Sequence, residues 1–209
     1  MKNKKLELLF PTQIWRARLK FDRAFRKDLI RECQAFRELD DHGKKWSAKH
    51  YLAGYTSYSS IANLHERSSS FLLLKTAIDR EVKMYADSLE FDLKSHRGRT
   101  LRMSAFWINI MGRFAHHSFH LHPLSAISGT YYLAVPAKSP GLKFEDPRIA
   151  AFMGSPPRKT AATRNNQQYV EIRCDEGEVL LFESWLKHEV RANADGRERI
   201  SVSFNYDWA

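Results

Sequence analysis

The stretch HHSFHLHPLSAISGTYYL, His116 to Leu133, places four of the chain's nine histidines within seven residues and then turns into a strand-like run. Imidazoles at this density suggest metal ligation. In a β-strand residues two apart share a face, so His120 and His122 would project together while Leu121 turns away, a natural chelating pair. His-x-His alone is a weak signal, and a solvated histidine-rich loop is the competing reading. His116 and His117 are less well placed, and supporting or packing roles suit them better.

Further downstream, GEVLLFESWLKHEVRANADGRERISVSFN reads as a strand, a turn carrying Trp185, a strand starting near His188, an Asp195-Gly196 hairpin turn and a last strand. Counting outward from a two-residue turn pairs Ala192 with Arg199, Val190 with Ser201 and His188 with Ser203. One face would then carry an imidazole, a guanidinium and two hydroxyls, too polar for an ordinary core. A buried guanidinium without a partner is costly, so Arg199 either reaches solvent or awaits an anion. A carboxylate best matches its planar donor fork.

Elements to position these groups are legible on both sides of residue 100. Phe21, Phe25, Leu29, Cys33 and Phe36 recur at helical spacing, as do Leu74, Ile78, Val82, Tyr85 and Leu89 after an N-capping Ser68-Ser69-Ser70 run. The stretch between them, GKKWSAKHYLAGYTSYSSIANLHE, has no clear period and reads as irregular, its His50 and His65 as surface or packing residues. After Leu101 come RMSAFWINIMG, AISGTYYLAVP, QQYVEIRC, GEVLLFES and RISVSFNYDW, rich in aromatic and β-branched residues and separated by Pro, Gly and Asp-Gly turns. Strands at this spacing without intervening helices indicate an antiparallel sandwich or barrel, with the two early helices covering one sheet.

The 209 residues fit one domain, residues 1–209, with a strand-plus-helix support region over 1–100 and a β core over 101–209. Cys33 and Cys174 cannot make a disulfide framework and read as reduced structural thiols. The N-terminus, MKNKKLELLFPTQIW, has too short an apolar run for a signal peptide or membrane span, so a soluble cytoplasmic protein is expected, with no membrane partner. The formal charge of +10 is frontal: residues 1–67 hold 15 Lys and Arg against 8 Asp and Glu. Most of these charges alternate with acids and apolar residues, as on a solvated helix face, and no nucleic-acid-binding signature accompanies them.

With these residues in hand, the chain resembles the Fe(II)/2-oxoglutarate dioxygenases, and more closely a group of small 2OG-Fe(II) oxygenases that share His-x-His-Pro, Ser-Gly-x-Tyr-Tyr, Asp-Pro-Arg, Ser-Trp-Leu-x-His and Arg-Ile-Ser-x-Ser-Phe-Asn. Here these are His120–Pro123, Ser128–Tyr132, Asp146–Arg148, Ser184–His188 and Arg199–Asn205, in the same order over about half the chain. The resemblance implies an α+β, mainly β fold: a double-stranded β-helix (jelly-roll, cupin-like) core with the N-terminal helices on one sheet. It implies Fe(II) as metal, 2-oxoglutarate as co-substrate and O2 as reactant. An unidentified substrate, a small molecule or peptide, would be hydroxylated with release of succinate and CO2.

By the same resemblance His120, His122 and His188 are the metal ligands. Arg199 and Ser201 would hold the far carboxylate of 2-oxoglutarate, Tyr132 would hydrogen-bond it, and Asn109 would touch the co-substrate or metal-bound water. Ser203, Asn205 and His116 would support this set, with no catalytic residue beyond the metal centre. His122 departs from the pattern, because most of the superfamily has Asp or Glu there. Three neutral imidazoles leave the metal's charge to be balanced by the anionic co-substrate, and zinc would also accept three histidines. Trp107, Phe119 and Trp185 are candidates to shield the centre, and the loop from Pro136 to Gln168 is a candidate lid. A non-2OG cupin-type metal or ligand-binding protein and a nucleic-acid-directed demethylase are the alternative functions, and a homodimer is compatible with the sequence.

Overall fold

The computed structural model describes residues 5–96 and 98–209. A short strand, β1 (Ile14–Arg18), leads into α1 (Arg23–Leu39), α2 (Asp41–His50), β2 (Gly54–Thr56) and α3 (Ser69–Ser88). Eight strands follow: β3 (Leu101–Met111), β4 (His117–His120), β5 (Ile127–Ala134), β6 (Leu142–Glu145), β7 (Tyr169–Ile172), β8 (Glu178–Glu183), β9 (His188–Val190) and β10 (Arg199–Trp208). They form two antiparallel sheets, β1-β8-β5-β10-β3-β2 and β4-β9-β6-β7. This is the antiparallel sandwich that the strand pattern predicted, in the jelly-roll arrangement of a double-stranded β-helix that the resemblance implied.

Period-two alternation explains why the larger sheet can serve both a core and a cavity. Ile200, Val202, Phe204 and Tyr206 of β10, with Phe106, Ile108 and Ile110 of β3, pack in one cluster with Leu29 and Cys33 of α1 and Phe71, Leu74, Ile78, Val82 and Tyr85 of α3. The intervening residues Arg199, Ser201, Ser203 and Asn205 of β10 and Trp107, Asn109 and Met111 of β3 line a cavity between the sheets. The helices form where their apolar stripes predicted. Asp22 caps α1, its Oδ1 accepting from the Phe25 N–H at 2.7 Å, and Ser68 caps α3.

Two expectations are corrected. The stretch after Leu39 is not irregular but holds α2 and β2. Only Gly43 and Ser47 of α2 are buried, so it carries no apolar stripe from which a period could be read. What holds it is Asp40, which accepts from the Gly43 N–H at 2.9 Å, from the Tyr55 hydroxyl at 2.8 Å and from the Ser60 hydroxyl at 2.5 Å.

The second correction concerns the Asp195-Gly196 hairpin. β9 pairs with β4 and β6 in the smaller sheet, whereas β10 pairs with β3 and β5 in the larger one, so His188 does not stand opposite Ser203. The residues between them cross from one sheet to the other. Asn193 pins that crossing, its Nδ2 donating to the carbonyls of Met111 and Arg197, each at 3.1 Å. The Asp195 carboxylate accepts from the Arg197 and Lys138 N–H groups, an Asx-type turn.

Candidate metal and co-substrate site

A cavity of about 890 Å³ opens between the sheets, in the size range of small-molecule sites. His120 ends β4 and faces His188, the first residue of β9, which is its register partner. His122 lies beyond the strand rather than on it, its backbone N–H bonded to the Ser184 carbonyl at 3.1 Å. One nitrogen from each of the three imidazoles lies within 4.8 Å of the others, so the structure assembles the trio predicted from sequence by a turn rather than by strand alternation.

Two of these imidazoles are pre-set for ligation. His120 Nδ1 lies 2.7 Å from the Ser118 carbonyl and His188 Nδ1 lies 2.8 Å from the Leu186 carbonyl. A carbonyl can only accept, so each Nδ1 carries the proton and each Nε2 keeps its lone pair for a metal. Burial also keeps the trio neutral. It lowers the pKa of His120, depresses His122 to about 4 with help from His120, and depresses His188 to about 3 with further repulsion from His120 and His122. Phe182 and Phe144 pack on the His188 ring at centroid distances of 4.6 and 6.1 Å, fixing its plane.

Arg199 is 2% exposed, and no carboxylate lies in salt-bridge range of it among the described residues. Its Nη1 reaches only Met111 Sδ at 3.2 Å and Ser201 Oγ at 3.4 Å, and Nε has no partner. The guanidinium lies 5.1 Å over the Tyr132 ring, and the Tyr132 hydroxyl is buried without a partner. Asn109 donates from Nδ2 to Ser203 Oγ at 3.0 Å and leaves Oδ1 unpaired toward the cavity. Ser203 also bonds Thr130, and Asn205 accepts from Ser128, which in turn bonds Ser184. Asn109, Ser128, Thr130, Ser203 and Asn205 of these two bonded groups line the cavity.

His116 is exposed on the rim, outside the trio. His117 is drawn in more than its sequence position suggested: its ring meets the edge of Tyr51 at 4.2 Å, and burial followed by the charges of His120 and Arg199 lowers its pKa to about 3. Trp107 and Phe119 line the cavity, with Trp107 5.9 Å from the His122 ring. Of the Pro136–Gln168 stretch named as a candidate lid, residues 142–145 form β6 and Leu142 lines the cavity, whereas no described residue from 146 to 168 does. Sequence reading missed Tyr51, which lines the cavity with a buried, unpaired hydroxyl. It sits in the segment without period, and only its neighbours in space mark it.

Comparison with known proteins agrees with this geometry. Residues 105–205 match the family model described as "Putative 2OG-Fe(II) oxygenase", a span that contains the three histidines and Arg199. That span, just under half of the chain, is similar to the 2OG-Fe(II) oxygenases. Among solved structures, the chain is similar to the α-ketoglutarate-dependent epimerase SnoN from nogalamycin biosynthesis (TM-score 0.64, 13% identity, covering 94% of this chain and 76% of that one). It is also similar to HygX from Streptomyces hygroscopicus with nickel and 2-oxoglutarate bound (0.60, 13%, 94% and 82%) and to a Pseudomonas putida prolyl-4-hydroxylase (0.58, 13%, 94% and 92%). At such identities the likeness speaks for the shared jelly-roll fold. No protein of curated function matches the sequence. No helix among the described residues is long and apolar enough to cross a membrane.

Proposed function

We propose that the protein uses Fe(II) and 2-oxoglutarate to hydroxylate a small-molecule or peptide substrate. The observation that carries this is the pairing, within one cavity, of three neutral imidazoles with a buried guanidinium that has no anion. Residues of these types fit the two groups. His120, His122 and His188 would hold the metal through neutral nitrogens, two of them already in the ligating tautomer. Arg199 with Ser201 would take the far carboxylate of 2-oxoglutarate, replacing a sulfur contact by a charge-assisted hydrogen bond.

The bound pair supplies oxidising chemistry, in which 2-oxoglutarate and O2 become succinate and CO2 and one oxygen atom enters a C–H bond of the substrate. The protein's share is to bind, orient and exclude water. Phe144 and Phe182 dry the side of the site behind His188, and Trp107 walls the side next to His122. With no carboxylate among the three ligands, the positive charge of metal and Arg199 together favours a dianionic co-substrate. Asn109 bonds Ser203 and Asn205 bonds Ser128 in two separate groups, which leaves Asn109 Oδ1 to accept from a bound group. Solved relatives of the fold hold small molecules or peptides: SnoN was crystallised with nogalamycin RO, and a Trichoplax adhaerens prolyl hydroxylase with a peptide fragment.

The test is anaerobic titration of metal-free protein with Fe(II) and then 2-oxoglutarate, following the metal-to-ligand charge-transfer band. Appearance of the band at one equivalent of each is expected. Tight zinc binding with no band from iron would overturn the oxygenase reading.

A further inference from the structure

We infer that Tyr51, at the end of α2, donates its hydroxyl to the far carboxylate of 2-oxoglutarate beside Arg199, making the helical support region part of the co-substrate site. This rests on the proposed function. Tyr51 is 4% exposed, and its hydroxyl is buried without a hydrogen-bond partner. A phenol is not left in that state without cost, and the group it faces is a cavity it shares with Arg199, Met111, Leu142 and Val190.

The register explains how a residue so distant in sequence reaches Arg199. Gly54 pairs with Met111, and Met111 pairs with Arg199, so one row across β2, β3 and β10 sets the Tyr51–Gly54 turn level with the guanidinium. The turn is closed by the Gly54 N–H donating to the Tyr51 carbonyl at 3.0 Å, and the Tyr51 N–H donates to the Ser47 carbonyl at 2.8 Å. A Cβ on Gly54 would stand 2.6 Å from the Tyr51 ring, so only glycine lets the ring lie against the backbone there. His117 clamps the other side at 4.2 Å, with ring planes 70° apart. Burial raises the Tyr51 pKa and the Arg199 charge lowers it by less, so the phenol stays protonated and able to donate.

Tyr132, the tyrosine implied by family resemblance, offers Arg199 its ring face. Tyr51 approaches from a different element, and a carboxylate has lone pairs enough for both hydroxyls and Arg199 Nε.

Calorimetric titration of anaerobic Fe(II)-loaded wild type and Tyr51→Phe with 2-oxoglutarate and with 2-oxovalerate, which lacks the far carboxylate, tests this. Phenylalanine keeps the packing against His117 and Gly54. The expected result is a roughly tenfold loss of 2-oxoglutarate affinity in Tyr51→Phe with 2-oxovalerate affinity unchanged. Equal 2-oxoglutarate affinity in the two proteins, or an equal loss for both ligands, overturns the donor role of Tyr51 while the proposed function stands. Wild type that binds no 2-oxoglutarate overturns both.

Discussion

The imidazoles of His122 and His188, 66 positions apart, lie in parallel planes 2° apart, with ring centroids separated by 5.3 Å. His188 is locked by its strand, by Phe182 and by the Leu186 carbonyl, whereas His122 stands outside the strands, its N–H donating to the Ser184 carbonyl and its carbonyl accepting from the Ser125 N–H. The two proposed ligands therefore differ in how firmly the protein presents them.

That difference predicts unequal outcomes on substitution. His188→Ala should abolish iron binding, measured by metal content after desalting. His122→Asp should retain iron, since it restores the two-histidine, one-carboxylate set, and should weaken 2-oxoglutarate by roughly tenfold because a negative ligand reduces the charge available to the dianion. Iron affinity of His122→Ala equal to wild type would remove His122 from the ligand set.

Arg199 separates binding from stability. Arg199→Met should leave iron in place and weaken 2-oxoglutarate by about 2–5 kcal/mol, the scale of a buried charge pair losing one partner. The ligand-free variant should melt no lower than wild type, because the guanidinium it loses has no compensating anion. A large drop in melting temperature would show that Arg199 is structural.

Ligand occupancy should appear as thermal stability. Fe(II) under anaerobic conditions at a hundred times its Kd should stabilise the fold by about 2.7 kcal/mol, a rise on the order of 5–10 °C for a domain of this size. A chelator should reverse it, and the shift should vanish in His188→Ala.

Asp40 sets an acid limit on the fold. Burial alone would raise its pKa, but hydrogen bonds from Ser60, Gly43 and Tyr55 outweigh burial and hold it below the ordinary carboxylate value. A depressed folded-state pKa means that the unfolded chain binds more protons. The contribution is therefore complete above the usual Asp range and is lost as pH falls through the folded-state pKa. Asp40→Ala should cost about 2–4 kcal/mol at neutral pH, from the lost α2 cap and the stranded Tyr55 hydroxyl. Its denaturant midpoint should lie closer to wild type in acid than at neutral pH; a constant gap would show that the carboxylate charge contributes nothing.

What the sequence by itself determined is local. The alternation of Arg199, Ser201, Ser203 and Asn205 with Ile200, Val202, Phe204 and Tyr206 separates a polar from an apolar face whatever the partners of the strand, and the stripes of α1 and α3 require an apolar sheet to cover. The identities of His120, His122, His188 and Arg199 as candidates followed from residue chemistry and family resemblance. The tertiary structure alone decided which strands pair. Asn193 and Asp195 carry the chain from one sheet to the other instead of closing a hairpin, which sets His188 against His120 and leaves Arg199 beside Met111. It alone decided that α2 exists and that Tyr51 lines the same cavity as Arg199, because a helix held by one buried carboxylate and a ring seated on Gly54 depend on contacts between segments rather than on any repeating pattern within one. Periodicity is a property of neighbours along the chain, whereas pairing and burial of single polar groups are settled by the sum of long-range contacts.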